Sequence, residues 1–100
     1  MILSRNYIKT VVTDFFRNKP VKRVFLFGSY ARGEAIESSD VDLFIELDEN
    51  SKPNYFELAG IWEQVQSIMK KNVDFVHKHP FLKKRFEDYI NKDKILIFEK

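Results

Sequence analysis

The chain contains 100 residues, so we expect one domain over residues 1–100 with a single core. Its composition is 44% hydrophobic with ten Phe, which excludes a disordered chain, and it has no Cys, which excludes disulfides and thiolate metal sites. The net charge of +2 gives no sign of the basic surface that direct binding of nucleic acid usually needs.

The sequence contains no candidate membrane segment. No apolar run approaches the ~20 residues that a membrane-spanning helix requires. The first residues also lack the charged and then apolar layout of a secretory signal. We therefore expect a cytoplasmic protein with no membrane partner.

The first half of the chain alternates helical and extended patterns. Apolar residues at helical spacing predict a helix over residues 4–18, with Ser4 as its N-cap. A β-rich run predicts a strand over residues 21–27, and its continuous apolar end is typical of a strand covered on both faces. A helical turn, a polar loop and a second strand are predicted at residues 29–32, 34–39 and 41–47.

The second half continues the alternation. A helix is predicted over residues 55–70, a strand over residues 73–77, a helix that opens at Pro80, and a strand over residues 95–98. The apolar face of the longer helix comprises Leu58, Ile61, Trp62, Val65, Ile68 and Met69. The order α-β-α-β-α-β-α-β predicts an α/β (α+β) fold, and because the crossovers vary in length we expect one mixed sheet of about four strands.

Two aspartates, Asp40 and Asp42, lie where the second strand is predicted to begin. Side chains alternate along a strand, so both should project from one face. Like charges that close repel each other, and a cation between them relieves the repulsion. Alone the pattern is weak, because Asp-x-Asp at a strand start is more often a solvated pair or a turn cap.

Two further features favour a functional site. Gly28 and Ser29 follow the first strand at the start of a helical turn, where free backbone N–H groups attract phosphate and glycine permits close approach. Asp74 interrupts the apolar third strand, a position that disfavours charge unless the side chain points into a site. Three carboxylates on neighbouring strands can hold divalent cations that bridge the phosphates of a nucleotide.

The segments 28–33 (GSYARG) and 39–43 (SDVDL), five residues apart, resemble the signature of the minimal nucleotidyltransferases, the small branch of the DNA polymerase β-like superfamily. The similarity extends through residues 73–76 to the final helix and strand. It implies the polymerase β-like fold. It also implies transfer of a nucleoside monophosphate from a nucleoside triphosphate to a hydroxyl, with release of pyrophosphate.

The resemblance also implies roles for individual residues. Asp40 and Asp42 would hold two Mg²⁺ ions, one of them shared with Asp74, which is also the candidate general base. The backbone at Gly28 and Ser29, with the Ser29 hydroxyl, would bind the β- and γ-phosphates of ATP.

The other residues of the motif have either two possible roles or a structural role. Arg32 either reaches a phosphate or pairs with one of the aspartates. Tyr30 either lines the nucleotide pocket or packs in the core. Ser39 is expected to brace its turn, and Gly33 to meet a backbone requirement.

Three groups outside the motif are given structural readings. With no Cys, a zinc site at His77 and His79 is improbable. Trp62 is expected in the core. The basic pair at residues 70–71 and the basic triplet at residues 83–85 are expected to be solvated, with contact to an acidic partner as the alternative.

Short members of the family occur beside HEPN-domain toxins and act as antitoxins that attach AMP to a toxin tyrosine. By resemblance, the expected partner is such a toxin, and nucleic acid is not expected as a direct substrate. The alternative is a non-catalytic antitoxin that neutralises its partner by masking it.

Overall fold

The computed structural model describes all residues from Met1 to Lys100 and contains four helices and four strands in the predicted order. In chain order they are α1 (Arg5–Phe16), β1 (Val21–Phe27), α2 (Gly28–Arg32), β2 (Val41–Leu47), α3 (Tyr55–Met69), β3 (Val73–His77), α4 (Lys84–Asp93) and β4 (Ile95–Glu99).

The strands form one sheet in the order β3-β2-β1-β4. β1 pairs antiparallel with both β2 and β4, whereas β2 and β3 are parallel. The α3 crossover connects the two parallel strands, which a tight turn cannot do. The prediction of a mixed four-stranded sheet is confirmed.

The sheet is covered on both faces, but unequally. One face packs against α1 and α3 in a cluster of 19 buried residues, to which β1 contributes Val21, Val24 and Leu26. The other face holds a cluster of three buried residues, Phe27, Phe44 and Ile90, beneath α4. The apolar run of β1 is therefore divided between two layers, as expected for a strand covered on both sides.

Side-chain caps mark the starts of two helices. The Ser4 hydroxyl accepts a hydrogen bond from the Tyr7 N–H, which confirms Ser4 as the N-cap of α1. Asn54 and Glu57 form a capping box at the start of α3, each side chain accepting from the other residue's backbone N–H.

The prediction that Pro80 opens the last helix is wrong. The N–H groups of Phe81 and Leu82 donate to the Nδ1 and the carbonyl of His79, which closes a separate turn. α4 therefore begins later, at Lys84, with Lys83 as its N-cap.

The predicted apolar face of α3 is too wide. Trp62 and Ile68 are 39% and 50% exposed, whereas Leu58, Ile61, Val65 and Met69 are buried. Trp62 and Ile68 lie at the edges of the apolar stripe, and periodicity alone cannot distinguish an edge from its centre.

No helix in the structure combines the length and the hydropathy needed to cross a bilayer.

Candidate active site

The turn from β1 into α2 lies against the first residues of β2. Gly28 has φ +72°, a left-handed conformation that side chains rarely adopt. A Cβ added there would lie 2.9 Å from the Cγ of Asp42 and closer still to its Oδ2. Glycine is therefore required at residue 28 for two separate reasons, the backbone angle and the contact with the carboxylate.

Asp42 and Asp74 occupy equivalent positions on neighbouring strands. In the parallel pairing of β2 with β3, Asp42 is the direct partner of Asp74, and in the antiparallel pairing with β1 it is the partner of Phe27. Both aspartates lie two residues before side chains that pack beneath α4, Phe44 and Val76. Because residues two apart share a face, the two carboxylates project from the α4 face at the same end of the sheet.

The electrostatics of the pair follow from this proximity. The pKa of Asp42 is raised to about 7, first by burial, then by the negative charge of Asp74 and a hydrogen bond to it, and last by the charge of Asp40. The positive charge of Arg32 acts in the opposite direction. The two carboxylates are therefore not both fully ionised at neutral pH unless a cation neutralises them.

Asp40 is the least fixed of the three predicted ligands. β2 begins at Val41, so Asp40 lies just outside the strand and is exposed, although its charge reaches Asp42. No group of three or more His, Cys, Asp and Glu side chains is arranged to hold a metal ion. The structure thus brings Asp42 and Asp74 together and leaves Asp40 at the margin.

The donors nonetheless fit Mg²⁺. Carboxylate oxygens are its preferred protein ligands. Burial, and after it the negative charges of Asp74 and Asp40, raises the pKa of Asp42, and a bound cation would oppose these effects.

Arg32 does not pair with any of the three aspartates of the candidate site, and its contact with a phosphate stays a prediction. Its Nε donates to Glu34 at 2.5 Å, and its Nη1 lies 3.5 Å from Asp93 in α4. These ion pairs hold the guanidinium between α2 and α4, within electrostatic range of Asp42 but not paired with it.

The remaining residues of the motif are mainly structural. Tyr30 is buried, and its hydroxyl accepts from the Leu3 N–H at 3.3 Å, so it packs rather than lining a nucleotide pocket. Ser39 accepts from the Ile36 N–H at 2.9 Å, which braces the loop as predicted. Gly33 ends α2 with φ +74°, a backbone requirement as predicted.

Ser29 lies in the first turn of α2 and is partly buried. No side chain caps this helix start, so no side-chain oxygen competes there for the backbone N–H groups. The position suits a phosphate contact, which stays a prediction.

Two side chains of α3 hold the strand that carries Asp74. The Nε1 of Trp62 donates to the Val73 carbonyl at 2.7 Å, and the Oε1 of Gln66 accepts from the Val73 N–H at 2.9 Å. β3 is an edge strand, so the Val73 groups that face away from β2 need partners outside the sheet. This role was not predicted from the sequence, although Trp62 and Gln66 are four residues apart and therefore lie one helical turn from each other.

A family model described as a nucleotidyltransferase domain matches residues 8–98. A Methanocaldococcus jannaschii protein, provisionally named a protein adenylyltransferase, is 38% identical over 84 residues, which are 80% of this chain and 81% of that protein.

Two solved structures are similar in fold. One, provisionally described as a minimal nucleotidyltransferase, has a TM-score of 0.74 and 27% identity over 90% of this chain and 89% of its own. The other belongs to a complex of a tri-AMPylated Shewanella oneidensis HEPN toxin with an MNT antitoxin, with a TM-score of 0.63 and 15% identity over 95% of this chain and 69% of its own. The second likeness shows the fold alone.

Proposed function

Because the chain belongs to the nucleotidyltransferase family, we propose that its reaction is the Mg²⁺-dependent transfer of AMP from ATP to a hydroxyl of a partner protein. The observation that supports this most directly is the register of β2 and β3, which sets Asp42 beside Asp74 next to the backbone of Gly28. The name of the 38% identical relative supports AMP as the transferred group.

Asp42 and Asp74 would hold the metal, with Asp40 as a third ligand from the loop before β2. Bound Mg²⁺ supplies charge neutralisation on the phosphates. The chain itself contributes alignment, because the bare backbone at Gly28 lets the triphosphate approach the carboxylates without a side chain between them.

In the transfer, the acceptor oxygen forms a bond to the α-phosphorus while the bond from that phosphorus to the pyrophosphate oxygen breaks. We assign the acceptor's proton to a carboxylate oxygen of Asp74, whose position on the edge strand β3 leaves it more exposed than Asp42. Pyrophosphate leaves with the displaced oxygen.

We further propose that the acceptor is a tyrosine of a HEPN-domain toxin and that the chain acts as its antitoxin. The fold shared with the MNT antitoxin complex, whose toxin carries three AMP groups by its description, supports this partner.

The test combines the chain, ATP labelled at the α-phosphate, Mg²⁺ and a HEPN toxin. We expect label on the toxin and a fall of roughly 10²–10³-fold or more with Asp42→Asn, because the ligand charge is lost. Asp48→Asn, just beyond the other end of β2, is the matched control and should retain full transfer.

The alternative is an antitoxin that neutralises the toxin by binding alone. Toxin inhibition that needs no ATP and survives Asp42→Asn, with no label transferred, would establish masking in place of catalysis.

A further inference from the structure

A second concave site lies at the opposite end of the sheet from the aspartates. It is a cavity of about 620 Å³ between the end of β2, the end of β3 and the start of α3. Asp42 and Leu47 are five residues apart on β2, so at ~3.3 Å per residue about 16 Å separates the two sites. The cavity volume falls within the usual range for small-molecule sites.

The charge around this cavity is positive, and two of its lysines are unpaired. Lys22 and Lys52 line it, and neither makes an ion pair in the structure. Lys78 also lines it and lies 3.8 Å from Glu87. Of the two lining acids, Glu46 is already held by Arg23 at 2.7 Å, which leaves Glu49 against the two unpaired lysines. An anionic ligand fits this balance.

The same cavity offers flat ring surfaces. The rings of His77 and His79 both line it, with centroids 4.9 Å apart and planes inclined by 44°. Burial, and after it the charge of His79, lowers the pKa of His77, so its imidazole is neutral at pH 7. Tyr55, 83% exposed, lies at the rim. An aromatic group can stack on these rings.

One nitrogen of the histidines that line the cavity has no hydrogen-bond partner within the chain. The Nδ1 of His77 is buried without a hydrogen bond, a state that proteins seldom leave uncompensated. By contrast, the capping side chains at the start of α3 already have partners, because Asn54 and Glu57 each accept a hydrogen bond from the other's backbone N–H.

From these features we propose that the cavity is a second, metal-independent site for a mononucleotide, with the base against the histidine rings and the phosphate between Lys22 and Lys52. The aspartate end cannot take a free nucleotide in the same way, because without a cation its carboxylates repel phosphate. The second site therefore provides a place for a regulatory or product nucleotide that does not compete with the metal-bound substrate.

The chain carries built-in reporters for the test. Its only two histidines, His77 and His79, line this cavity, and its only tryptophan, Trp62, is bonded to Val73 beside Asp74 at the other end. We would titrate the full chain with AMP at pH 7.5 in EDTA and follow the imidazole C–H and indole N–H signals by NMR. Saturable shifts of both histidines, with the Trp62 signal unchanged, are the expected result.

Variants separate the phosphate contact from nonspecific attraction. Lys52→Ala should weaken the histidine-detected affinity about five- to tenfold, and Lys22→Ala/Lys52→Ala should weaken it further, whereas Lys9→Ala, an exposed unpaired lysine on α1, should not change it. Adenosine and inorganic phosphate, given alone, should each bind more weakly than AMP.

Three results would overturn the proposal. The first is an absence of histidine shifts up to about 10 mM AMP, since binding of roughly millimolar affinity would be visible by that concentration. The second is a shift of Trp62 without the histidines, which places AMP at the aspartates. The third is equal weakening by Lys9→Ala and Lys52→Ala. Because no metal or acceptor is present, the outcome does not depend on whether the chain transfers AMP.

Discussion

At the scale of single residues, two glycines offer a matched comparison. Gly28 and Gly33 have nearly the same backbone angle, φ +72° and +74°, but only Gly28 faces a neighbour, Asp42, where a side chain would begin. Gly33→Ala should therefore cost only the left-handed strain, ~1–2 kcal/mol in the free energy of unfolding. Gly28→Ala adds displacement of the carboxylate and should also abolish AMP transfer. Urea unfolding and the labelled-ATP assay measure the two effects.

The comparison is informative in both directions. Gly33→Ala shows what strain alone does to transfer, since nothing lies within 4 Å of its added Cβ. If the two alanine variants lost the same stability and the same activity, the contact between Gly28 and Asp42 would have no functional role.

The raised pKa of Asp42 predicts that the stability of the metal-free protein falls as the pH rises toward neutrality. Its pKa rises from 3.8 to about 7 on folding, so the folded state binds more protons between those values. Stability from this group is therefore present at low pH and lost as the pH rises from about 4 to about 7. Asp42→Asn should be more stable than the parent above pH 7, by ~1–2 kcal/mol after allowance for solvent screening.

The measurement is the difference in the free energy of unfolding between parent and Asp42→Asn, in EDTA, from pH 4 to pH 8. His77 titrates in both proteins and cancels in the difference. The difference should grow through the interval and then level off. A difference that does not change with pH would show that Asp42 is not perturbed, and Asp48→Asn gives the baseline.

At the scale of elements, the link between α3 and β3 has the clearest consequence. Gln66 holds the Val73 N–H, one residue before Asp74, whereas Gln64 on the same helix is exposed and makes no side-chain hydrogen bond. Gln66→Ala should cost ~1–2 kcal/mol, because it leaves a strand N–H without a partner. Gln64→Ala should stay within ~0.5 kcal/mol of the parent.

The same pair tests whether the link positions Asp74. If it does, Gln66→Ala should lower the kcat of AMP transfer and leave the KM for ATP nearly unchanged. Gln64→Ala should change neither kcat nor KM. Unaltered turnover in a folded Gln66→Ala protein would restrict Gln66 to a structural role.

The elements themselves were largely predictable from the sequence. β1, β2 and β3 have the predicted bounds, since apolar runs with clear ends leave little choice. The start of α4 was not predictable, because proline is favoured both in turns and at the first position of a helix. The hydrogen bonds from the Phe81 and Leu82 N–H groups to His79 show that Pro80 lies in a turn.

For the candidate site, composition and motif could point to the aspartates but not to their arrangement. Which strands are neighbours, and in which direction, depends on contacts across the sheet that no local pattern encodes. The partners of Arg32 illustrate this limit, since Asp93 is 61 positions away in the chain and reaches Arg32 only through the packing of α2 near α4.

At the scale of the whole molecule, the two faces of the sheet should differ in stability. The face under α1 and α3 holds 19 clustered buried residues, and the face under α4 holds three. We expect α4 to open in local fluctuations at a lower free energy than β1, which lies between two strands. Native-state hydrogen exchange resolves this, and the expectation fails if amides of α4 and β1 exchange only with the global unfolding energy.

The pairing of β2 with β3 also makes AMP transfer depend on the correct register of these two strands. Sliding β3 by a single position would turn Asp74 toward α3 and bring an apolar side chain beside Asp42. A misaligned copy could then be compact and well ordered, yet silent in the assay. The specific activity would therefore report the fraction of molecules in which β3 is paired in the correct register. A spectroscopic signal averaged over all folded molecules would not distinguish the two registers.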